Sequence, residues 1–423
     1  MTAFIRCGAL FATAALVVGA CGPVGSPKRT PAPTETAPVT PSQTPKENPF
    51  VNLDQKTLDT RLIAAAWAND VPKARKLIEA GADVNAKDDT VQSAYLIATS
   101  EGHLSLLELT LRHGAKVKSL DSWDGTGLIR ASERGHAHVV GRLLRAGVDP
   151  NHVNNLGWVG LHEALVFAKA EKPRQYEDTV RVLVAGGADV SIRSRKDSAT
   201  PIELAERRGL RAQSRLLRAA AKPRTISSAD ADRDLLRAAE KGDADAAALA
   251  LRAGADLESR NDQRQTPLLL AAANDRYAVA RLLVDLGADP DALDARHDTP
   301  WLVTGVTGSV AMLETLLPAH PDLTIKNRYG GLSPIPAGER GHADYIRRVV
   351  STDVNLNHVN DLGWTALLET VILGDGSKPY QDIVETLVRA GVDTSIKDKN
   401  GRTALDHAKS KGYTNIVRAL ENG

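Results

Sequence analysis

Short apolar runs alternate with polar turn sequences along most of this chain, and each pair of runs predicts two short helices. The run TPLLLAAAN begins at Thr266, where a Thr hydroxyl can cap free helix N–H groups and the proline after it is tolerated in the first helical turn. A second run, such as VVGRLLRAG from Val139, predicts the second helix. Its last residue, Gly147, is expected to adopt the left-handed conformation of a helix cap. Glycines in the same place are Gly81, Gly114, Gly187, Gly254, Gly287 and Gly391.

The helical pairs recur with a fixed period. The first residue of the TPL-like phrase lies 33 residues after the previous one in eight of ten steps, and the two longer steps are 41 and 38 residues. A period of about 20 to 50 residues is typical of a repeat architecture. Eleven units follow from the markers Thr60, Ser93, Thr126, Val159, Thr200, Arg233, Thr266, Thr299, Leu332, Thr365 and Thr403.

Several units carry Gly-His between the helices, and a sequence such as GADVN, at 81–85, follows the second helix. With the Thr-Pro start, these motifs resemble the ankyrin-repeat family, whose units read approximately TPLHLAAxxGHxEIVxLLLxxGADVNAxD. The resemblance covers residues 58 to about 420. It implies an all-α ankyrin solenoid of about eleven helix-turn-helix units joined by β-hairpin loops. The alternative among helical repeats, the tetratricopeptide type, has a period of about 34 residues and no GADVN hairpin.

One phrase occurs twice, 206 residues apart, as NHVNNLGWVGLHEAL from Asn151 and as NHVNDLGWTALLETV from Asn357. The fifth unit has AKPRTISSAD, from Ala221, where a hairpin sequence is expected. The duplication and the degraded hairpin predict two blocks, residues 57–221 with about five units and residues 229–423 with about six. Because the 33-residue spacing is kept across the junction, we expect the blocks to stack as one continuous solenoid.

Two further departures from the pattern concern single units. The units with the repeated phrase contain the only insertions, from Phe167 and from Leu373, between their two helices, and both insertions end in a Pro and a Tyr. In another unit, Pro334 and Pro336 lie where the first helix is expected. A proline beyond the first turn removes a helical hydrogen bond and clashes with the preceding turn, at about 3 kcal/mol. We therefore expect this helix to start late or to be distorted.

The N-terminal residues differ from the repeats in composition. One charged residue, Arg6, precedes an apolar run at 9–18 that is too short to span a bilayer, which predicts a secretory signal at 1–20. The ending VGAC resembles the lipobox of bacterial lipoproteins and implies cleavage before Cys21 and lipidation of Cys21. An ordinary secretory signal or an N-terminal anchor is the alternative. Residues 21–49 contain eight prolines and predict an extended stalk.

Charge and side-chain chemistry favour binding over catalysis. With 53 basic and 52 acidic residues and both signs interspersed, the sequence indicates no basic stripe for nucleic acid. His162 and Glu163 lack the second His of a zinc-binding HExxH motif. Asp230, Asp232 and Asp234 have the alternate spacing of a calcium loop without its Gly and its bidentate Glu. The sequence therefore predicts no catalytic, cofactor-binding or metal-binding residues, and we expect that the protein is not an enzyme.

The resemblance implies partner contacts at the hairpin tips and at the inner faces of the first helices. Stacked units form an extended concave surface that suits a protein or a peptide. Tip positions hold Trp123 and Trp158 in the first block and Tyr329 and Trp364 in the second, again 206 residues apart. We expect these four residues to bind a partner, and packing against a neighbouring hairpin or helix is the alternative. Since the insertions lie at the other end of their units, they should not touch the tips.

Together these features predict an exported, lipid-anchored ankyrin-repeat protein that acts as a protein-protein interaction scaffold at the extracytoplasmic face of a bacterial cell membrane. Its expected partners are an unidentified protein or peptide and the membrane, through the lipid on Cys21. It is expected to be monomeric. The alternative function is that of an accessory protein that protects or inhibits an exported enzyme, which the association of periplasmic family members with oxidative stress suggests.

Overall fold

The structure, a computed structural model, describes residues 48–222 and 225–422. The expected signal at 1–20, Cys21 and residues 21–47 of the expected stalk lie outside the described residues. The described part contains twenty-two α-helices, which form eleven units of two consecutive helices. This is the architecture that the 33-residue period predicts, and the expected all-helical repeat fold is confirmed.

Each unit contributes one inner helix, which comes first, and one outer helix. The inner helices are α1 (Gln55–Trp67), α3 (Ala94–Glu101), α5 (Gly127–Arg134), α7 (Gly160–Val166), α9 (Pro201–Arg207), α11 (Ser228–Lys241), α13 (Pro267–Ala273), α15 (Pro300–Thr307), α17 (Pro334–Glu339), α19 (Ala366–Leu373) and α21 (Ala404–Lys411). The outer helices are α2 (Val71–Glu79), α4 (Leu104–Arg112), α6 (Ala137–Arg145), α8 (Pro173–Ala185), α10 (Arg211–Ala220), α12 (Ala244–Arg252), α14 (Tyr277–Asp285), α16 (Val310–Leu316), α18 (Ala343–Val349), α20 (Lys378–Arg389) and α22 (Thr414–Glu421). A 3-10 turn at Leu317–Ala319 follows α16.

Hydroxyl side chains set the start of most inner helices, as the Thr-Pro pattern predicts. The Oγ1 of Thr266 accepts a hydrogen bond from the N–H of Leu269 at 3.2 Å. Seven outer helices are followed by a glycine in the left-handed conformation; Gly147, for example, has a φ of 81°. The expected caps are therefore confirmed. The same side-chain cap is made by Ser93, Thr126, Thr200, Thr299, Thr365 and Thr403.

The first unit of each block departs from this pattern. Thr60 and Arg233 lie inside α1 and α11, so the helix starts expected at these two residues are wrong. Both helices begin earlier, after the capping side chains of Asp54 and Ser227. The two longest inner helices thus begin the two blocks.

The two prolines shorten α17 without abolishing it. The helix spans 334–339, whereas its counterpart 206 residues earlier, α5, spans 127–134, so the expected late start amounts to one residue. Leu332 replaces the capping Thr, and no side chain caps this helix. Pro334 and Pro336 both lie in the first turn, where the missing N–H groups would have no helical partner. The chain tolerates the prolines for that reason.

Within each block, consecutive inner helices pack against one another, and so do consecutive outer helices. A small residue recurs at the same place in successive inner helices, as Ala98, Ala131, Ala164 and Ala205, and each of these alanines is completely buried. Small side chains allow helices to approach closely, so a continuous core of alanine, leucine and valine runs through each stack.

The two blocks do not continue into each other as one solenoid. α12, in the first unit of the second block, packs against α8, and α14 packs against α6, so the outer helices of the two blocks face each other. The expectation of continuous stacking is therefore wrong. The physical reason is the sequence AKPRTISSAD from Ala221, which replaces the hairpin that would otherwise position α11 beside α9.

A glycine allows α6 and α14 to meet. A Cβ atom on Gly141 would lie 2.1 Å from the main-chain oxygen of Asp285, a separation that real Cβ atoms do not show. The residue 206 positions after Gly141 is Arg347, which is exposed on α18. The duplicated blocks thus differ at the point where one of them contacts the other.

Paired charges complete the contact between the blocks. The Nε of Arg181 in α8 donates to Asp245 in α12 at 2.7 Å, and its Nη1 donates to Asp178 at 2.9 Å. The second carboxylate oxygen of Asp178 accepts from the Nε of Arg281 in α14 at 3.1 Å. Burial, together with nearby Asp178, raises the pKa of Asp285 to about 8. A network of opposite charges therefore joins three outer helices across the junction.

Candidate functional site

The repeated phrase fixes the tip of one hairpin loop in each block. The Oδ1 of Asn154 accepts hydrogen bonds from the N–H groups of Leu156 at 3.1 Å and Trp158 at 3.0 Å. Asn360 makes the same two bonds in the second block, at 3.0 and 2.9 Å. Each asparagine side chain therefore closes a turn of the hairpin, and both turns have the same geometry.

The same phrase ties each hairpin to its neighbours. The Nε2 of His152 lies 2.7 Å from the main-chain oxygen of Asp124 in the preceding hairpin, and that of His358 lies 2.6 Å from the oxygen of Gly330. The side-chain oxygen of Asn151 accepts from a backbone N–H of the following hairpin at 2.7 Å. The duplicated sequence is thus explained by its structural task, which is to position consecutive hairpin tips.

The four predicted tip aromatics differ in exposure. Trp123 and Tyr329 are 56% and 55% exposed. Trp158 is only 5% exposed, and Trp364 is partly buried against the core. The expectation that Trp158 is available to a partner is therefore wrong, and Trp364 presents only part of its ring. A partner-binding role for Trp123, Tyr329 and Trp364 stays a prediction.

Trp158 is buried because the insertion of its own unit covers it. The ring of Phe167, the first residue of the insertion, packs edge-on against Trp158 with the ring centres 6.5 Å apart. The Nζ of Lys196 lies 5.2 Å from the centre of the Trp158 ring. The expectation that the insertion does not touch the tip is therefore wrong for this unit.

The insertions also lengthen the outer helices that follow them. Their tyrosines, Tyr176 and Tyr380, lie inside α8 and α20, which have 13 and 12 residues, whereas α6 has nine. The hydroxyl of Tyr176 donates to the main-chain oxygen of Glu133 at 3.2 Å, and that of Tyr380 donates to the oxygen of Glu339 at 3.1 Å. Each insertion is thus hydrogen-bonded to the C-terminal end of the inner helix of the previous unit, α5 or α17.

Each block has a pocket between these hairpin tips and the inner helices. The block-1 pocket has a volume of about 320 Å³, and the block-2 pocket has a volume of about 510 Å³. The block-1 pocket is lined by Asp121, Trp123, Gly125, Ile129, Arg130, Glu133, Asn154, Leu156, Glu163, Phe167 and Lys196. For every one of these except Lys196, the residue 206 positions later lines the block-2 pocket: Asn327, Tyr329, Gly331, Ile335, Pro336, Glu339, Asn360, Leu362, Glu369 and Leu373. The pockets are therefore equivalent sites of a duplicated structure.

A buried glutamic acid lies in each pocket. Glu163 is 4% exposed and Glu369 is 6% exposed. Burial, and secondarily the nearby carboxylate of Glu133, raises the pKa of Glu163 to about 7. Burial and the carboxylate of Glu339 likewise raise the pKa of Glu369 to about 7. Neutral and charged forms of both acids are therefore accessible near neutral pH.

The two pockets differ in how these acids are compensated. In block 1 the Nη1 of Arg130 lies 2.6 Å from Glu133, and its Nε lies 3.3 Å from Asp121. The Nδ2 of Asn154 donates to Glu163 at 2.8 Å. In block 2 the position of Arg130 is occupied by Pro336, so this pocket lacks the corresponding cation.

Apolar side chains surround both pockets. Among the described residues, six exposed large apolar side chains line one of the two pockets. Two of them belong to the block-1 pocket and four to the block-2 pocket. Clustered apolar surface of this kind is typical of interaction sites. These residues are Trp123, Phe167, Val306, Tyr329, Leu362 and Leu373.

Comparison with known proteins identifies the repeat. The sequence model of a family described as "Ankyrin repeats (3 copies)" matches residues 94–211, 235–327 and 335–423. The chain belongs to the ankyrin-repeat family. The pockets thus lie on the concave surface of ankyrin units, between the hairpin tips and the inner helices.

Ankyrin relatives occur in bacteria and in animals. The putative ankyrin repeat protein YahD of Escherichia coli is 35% identical over 188 residues, which are 44% of this chain and 94% of that protein. The ankyrin repeat and KH domain-containing protein mask-1 of Caenorhabditis elegans is 25% identical over 344 residues, 71% of this chain and 13% of that protein. The crystal structure of an ankyrin repeat domain from Acinetobacter baumannii AYE, at 39% identity, covers 44% of this chain and 96% of that chain with a TM-score of 0.43.

Sequence reasoning missed the buried acids. In the sequence, Glu163 drew attention only as part of the His162-Glu163 pair. The imidazole of His162 has a structural role, because its Nδ1 accepts a hydrogen bond from the N–H of Val159 at 3.3 Å. The sequence signal that could have identified Glu163 is the glutamate that recurs 206 residues later, Glu369, without a neighbouring histidine.

In residues 48–222 and 225–422, no group of His, Cys, Asp or Glu side chains could hold a metal ion, and no helix is long and apolar enough to cross a bilayer.

Proposed function

We propose that this protein is an exported, lipid-anchored ankyrin-repeat scaffold that binds partner proteins at the extracytoplasmic face of a bacterial cell membrane. Cys21 carries the anchor, and the proline-rich residues 22–49 hold the ankyrin body away from the membrane. The support for this location is the VGAC sequence directly after an apolar run. Ankyrin units generally act as interaction modules, and stacked units offer extended concave binding surfaces.

The observation that carries the binding function is the equivalent pair of pockets with exposed aromatic residues at their rims. Trp123 and Tyr329 are large side chains on hairpins whose backbones are fixed by hydrogen bonds, with the N–H of Asn155 donating to Trp123 and that of Asp361 to Tyr329, both at 3.0 Å. Aromatic residues on a rigid frame lose little conformational freedom on binding and often contribute most of the binding energy.

Capture from an envelope fraction by the full chain, with cross-linking, tests the scaffold function. The double variant Trp123→Ala/Tyr329→Ala is expected to lose at least about tenfold of the captured partner. The control is Tyr277→Ala, which removes an exposed aromatic residue of α14 that lines neither pocket. Equal capture by the double variant and the wild type, with unchanged circular dichroism, would contradict the proposal.

Fractionation tests the anchor separately. The variant Cys21→Ser is expected to move from the membrane fraction to the soluble fraction, because the residue that would be lipidated is absent. Cys7→Ser serves as the control, since this cysteine lies within the signal that is removed. A Cys21→Ser protein that stays on membranes would exclude anchoring through this residue.

A further inference from the structure

The block-2 pocket contains a buried acid without a partner. Glu369 is 6% exposed, and its Oε2 has no hydrogen-bond partner within the described residues. Its neighbour Glu339 is already paired with Arg340 at 2.8 Å. Two further arginines of the pocket lie within 3.6 Å of Asp298. Arg340 opposes the rise in the pKa of Glu369, but no cation of the described residues forms a salt bridge with the Glu369 carboxylate, although a buried charge normally has a partner.

The block-1 pocket shows which groups compensate such an acid. The hydrogen bond from Asn154 opposes the rise in the pKa of Glu163, and so does the guanidinium of Arg130, which lies between Glu133 and Asp121 at 2.6 and 3.3 Å. Pro336 has no group that can take this place in block 2. The block-2 pocket is also larger, at about 510 Å³ against about 320 Å³.

The rim of the block-2 pocket is suited to the neighbours of a charged side chain in a polypeptide. Leu362 and Leu373 are 49% and 48% exposed, and Tyr329 is 55% exposed. An apolar rim around a buried carboxylate fits a side chain whose charged end is deep in the pocket and whose flanking residues are apolar.

We propose that the block-2 pocket binds the guanidinium group of an arginine side chain of a partner polypeptide, in the place that Arg130 occupies in block 1. This inference rests on the proposed function, since the arginine belongs to the protein that the scaffold binds. A guanidinium has five N–H donors in a planar arrangement and can bridge two carboxylates, here those of Glu369 and Glu339. An ammonium group lacks this planar fork.

Nuclear magnetic resonance titration of the full chain with acetyl-Leu-Arg-Leu-amide tests the inference. The peptide is expected to bind wild type, and its analogue with neutral citrulline in place of arginine is expected to bind at least about tenfold more weakly. Glu369→Gln, which keeps the shape of the side chain, is expected to weaken binding of the arginine peptide by a similar factor. Glu314→Gln on α16 is the control for an exposed glutamate outside the pocket and should bind like wild type.

Two exchanges between the blocks sharpen the test. Pro336→Arg is expected to abolish peptide binding, because the new side chain would compensate Glu369 from within. Arg130→Ala is expected to empty the block-1 pocket and to add a second binding site for the peptide. Equal affinity for the arginine and citrulline peptides, or unchanged affinity in Glu369→Gln, would overturn the inference.

The outcome can be separated from that of the proposed function. If the arginine peptide does not bind but Trp123→Ala/Tyr329→Ala still loses its captured partner, the scaffold function holds and the arginine site is wrong. If the capture also fails to depend on the aromatic pair, both are wrong.

Discussion

A Cβ atom added to Gly141 would lie 2.1 Å from the main-chain oxygen of Asp285, so the main chains of α6 and α14, from the two blocks, are in contact. Any larger residue at 141 must push α6 away from α14. We expect Gly141→Leu to lower the free energy of unfolding by about 1–3 kcal/mol, as is usual for overpacking, although leucine is the better helix former. Chemical denaturation measures this loss, and small-angle X-ray scattering should show a larger radius of gyration.

Arg347 provides the control for this substitution, because it occupies the equivalent position on α18 and is exposed. Arg347→Leu should change the free energy of unfolding by no more than about 0.5 kcal/mol. If both variants behave like wild type in denaturation and scattering, the packing of the blocks through α6 and α14 is wrong.

The charge network between the blocks predicts that stability depends on the salt bridges of Arg181. Arg181 is 16% exposed and pairs with Asp245 and Asp178, so Arg181→Ala removes the cation that pairs with Asp245 and leaves Asp178 with Arg281 alone. We expect a loss of about 1–3 kcal/mol in the free energy of unfolding, measured by urea denaturation. The exposed pair of Arg389 with Glu385 is the comparison, since its removal should cost less than about 1 kcal/mol. Equal losses in the two variants would mean that Arg181 does not join the blocks.

The buried acids predict how stability depends on pH. The pKa values of Glu163 and Glu369 are raised from 4.5 to about 7, so the folded state favours their protonated forms. Their contribution to stability is fully present below pH 4.5, is lost as the pH rises through about 7, and remains absent at higher pH. The double variant Glu163→Gln/Glu369→Gln should therefore gain stability relative to wild type between pH 5 and pH 8.

Each of the two shifts corresponds to about 3 kcal/mol at most. Urea denaturation at a series of pH values measures the difference in the free energy of unfolding between the double variant and wild type. Because Asp285 is present in both proteins, its own titration cancels from this difference. A difference that is constant from pH 5 to pH 8 would contradict the assignment of raised pKa values to these acids.

The tip aromatics should separate stability from binding. Trp158 is buried against Phe167, so Trp158→Ala is expected to cost about 3 kcal/mol in the free energy of unfolding. Trp123 is 56% exposed, and Trp123→Ala should cost less than about 1 kcal/mol while it reduces partner capture. Thermal and urea denaturation of the two variants test this order. A larger loss of stability in Trp123→Ala than in Trp158→Ala would contradict the assignment of packing to Trp158 and of binding to Trp123.

The positions of the helices could be predicted from sequence because local chemistry decides them. A threonine such as Thr266 caps a helix through its own side chain, and a glycine such as Gly147 ends one through its own backbone. The packing of the blocks could not be predicted in this way. It depends on Gly141, Arg181 and Asp245, which lie on outer helix surfaces where the repeat pattern accepts almost any residue.

The candidate site was predictable only in part. The 33-residue period predicts the positions of the hairpin tips and therefore which aromatic residues lie on them. The burial of Trp158 depends on Phe167, in an insertion for which the repeat pattern offers no template. The acids Glu163 and Glu369 are buried on inner helices whose other buried residues are mostly apolar, so their burial could not be predicted from the hydrophobic pattern.

Because the outer helices of the two blocks pack against each other, the inner helices of each block face away from that contact. On the proposed function, a partner bound in one pocket would therefore leave the other pocket free for a second partner. Two segments of one long partner, one bound at each pocket, would raise each other's effective concentration only if the chain between them is long enough to connect the two pockets. Such a bridge would select partners by the spacing of their binding segments.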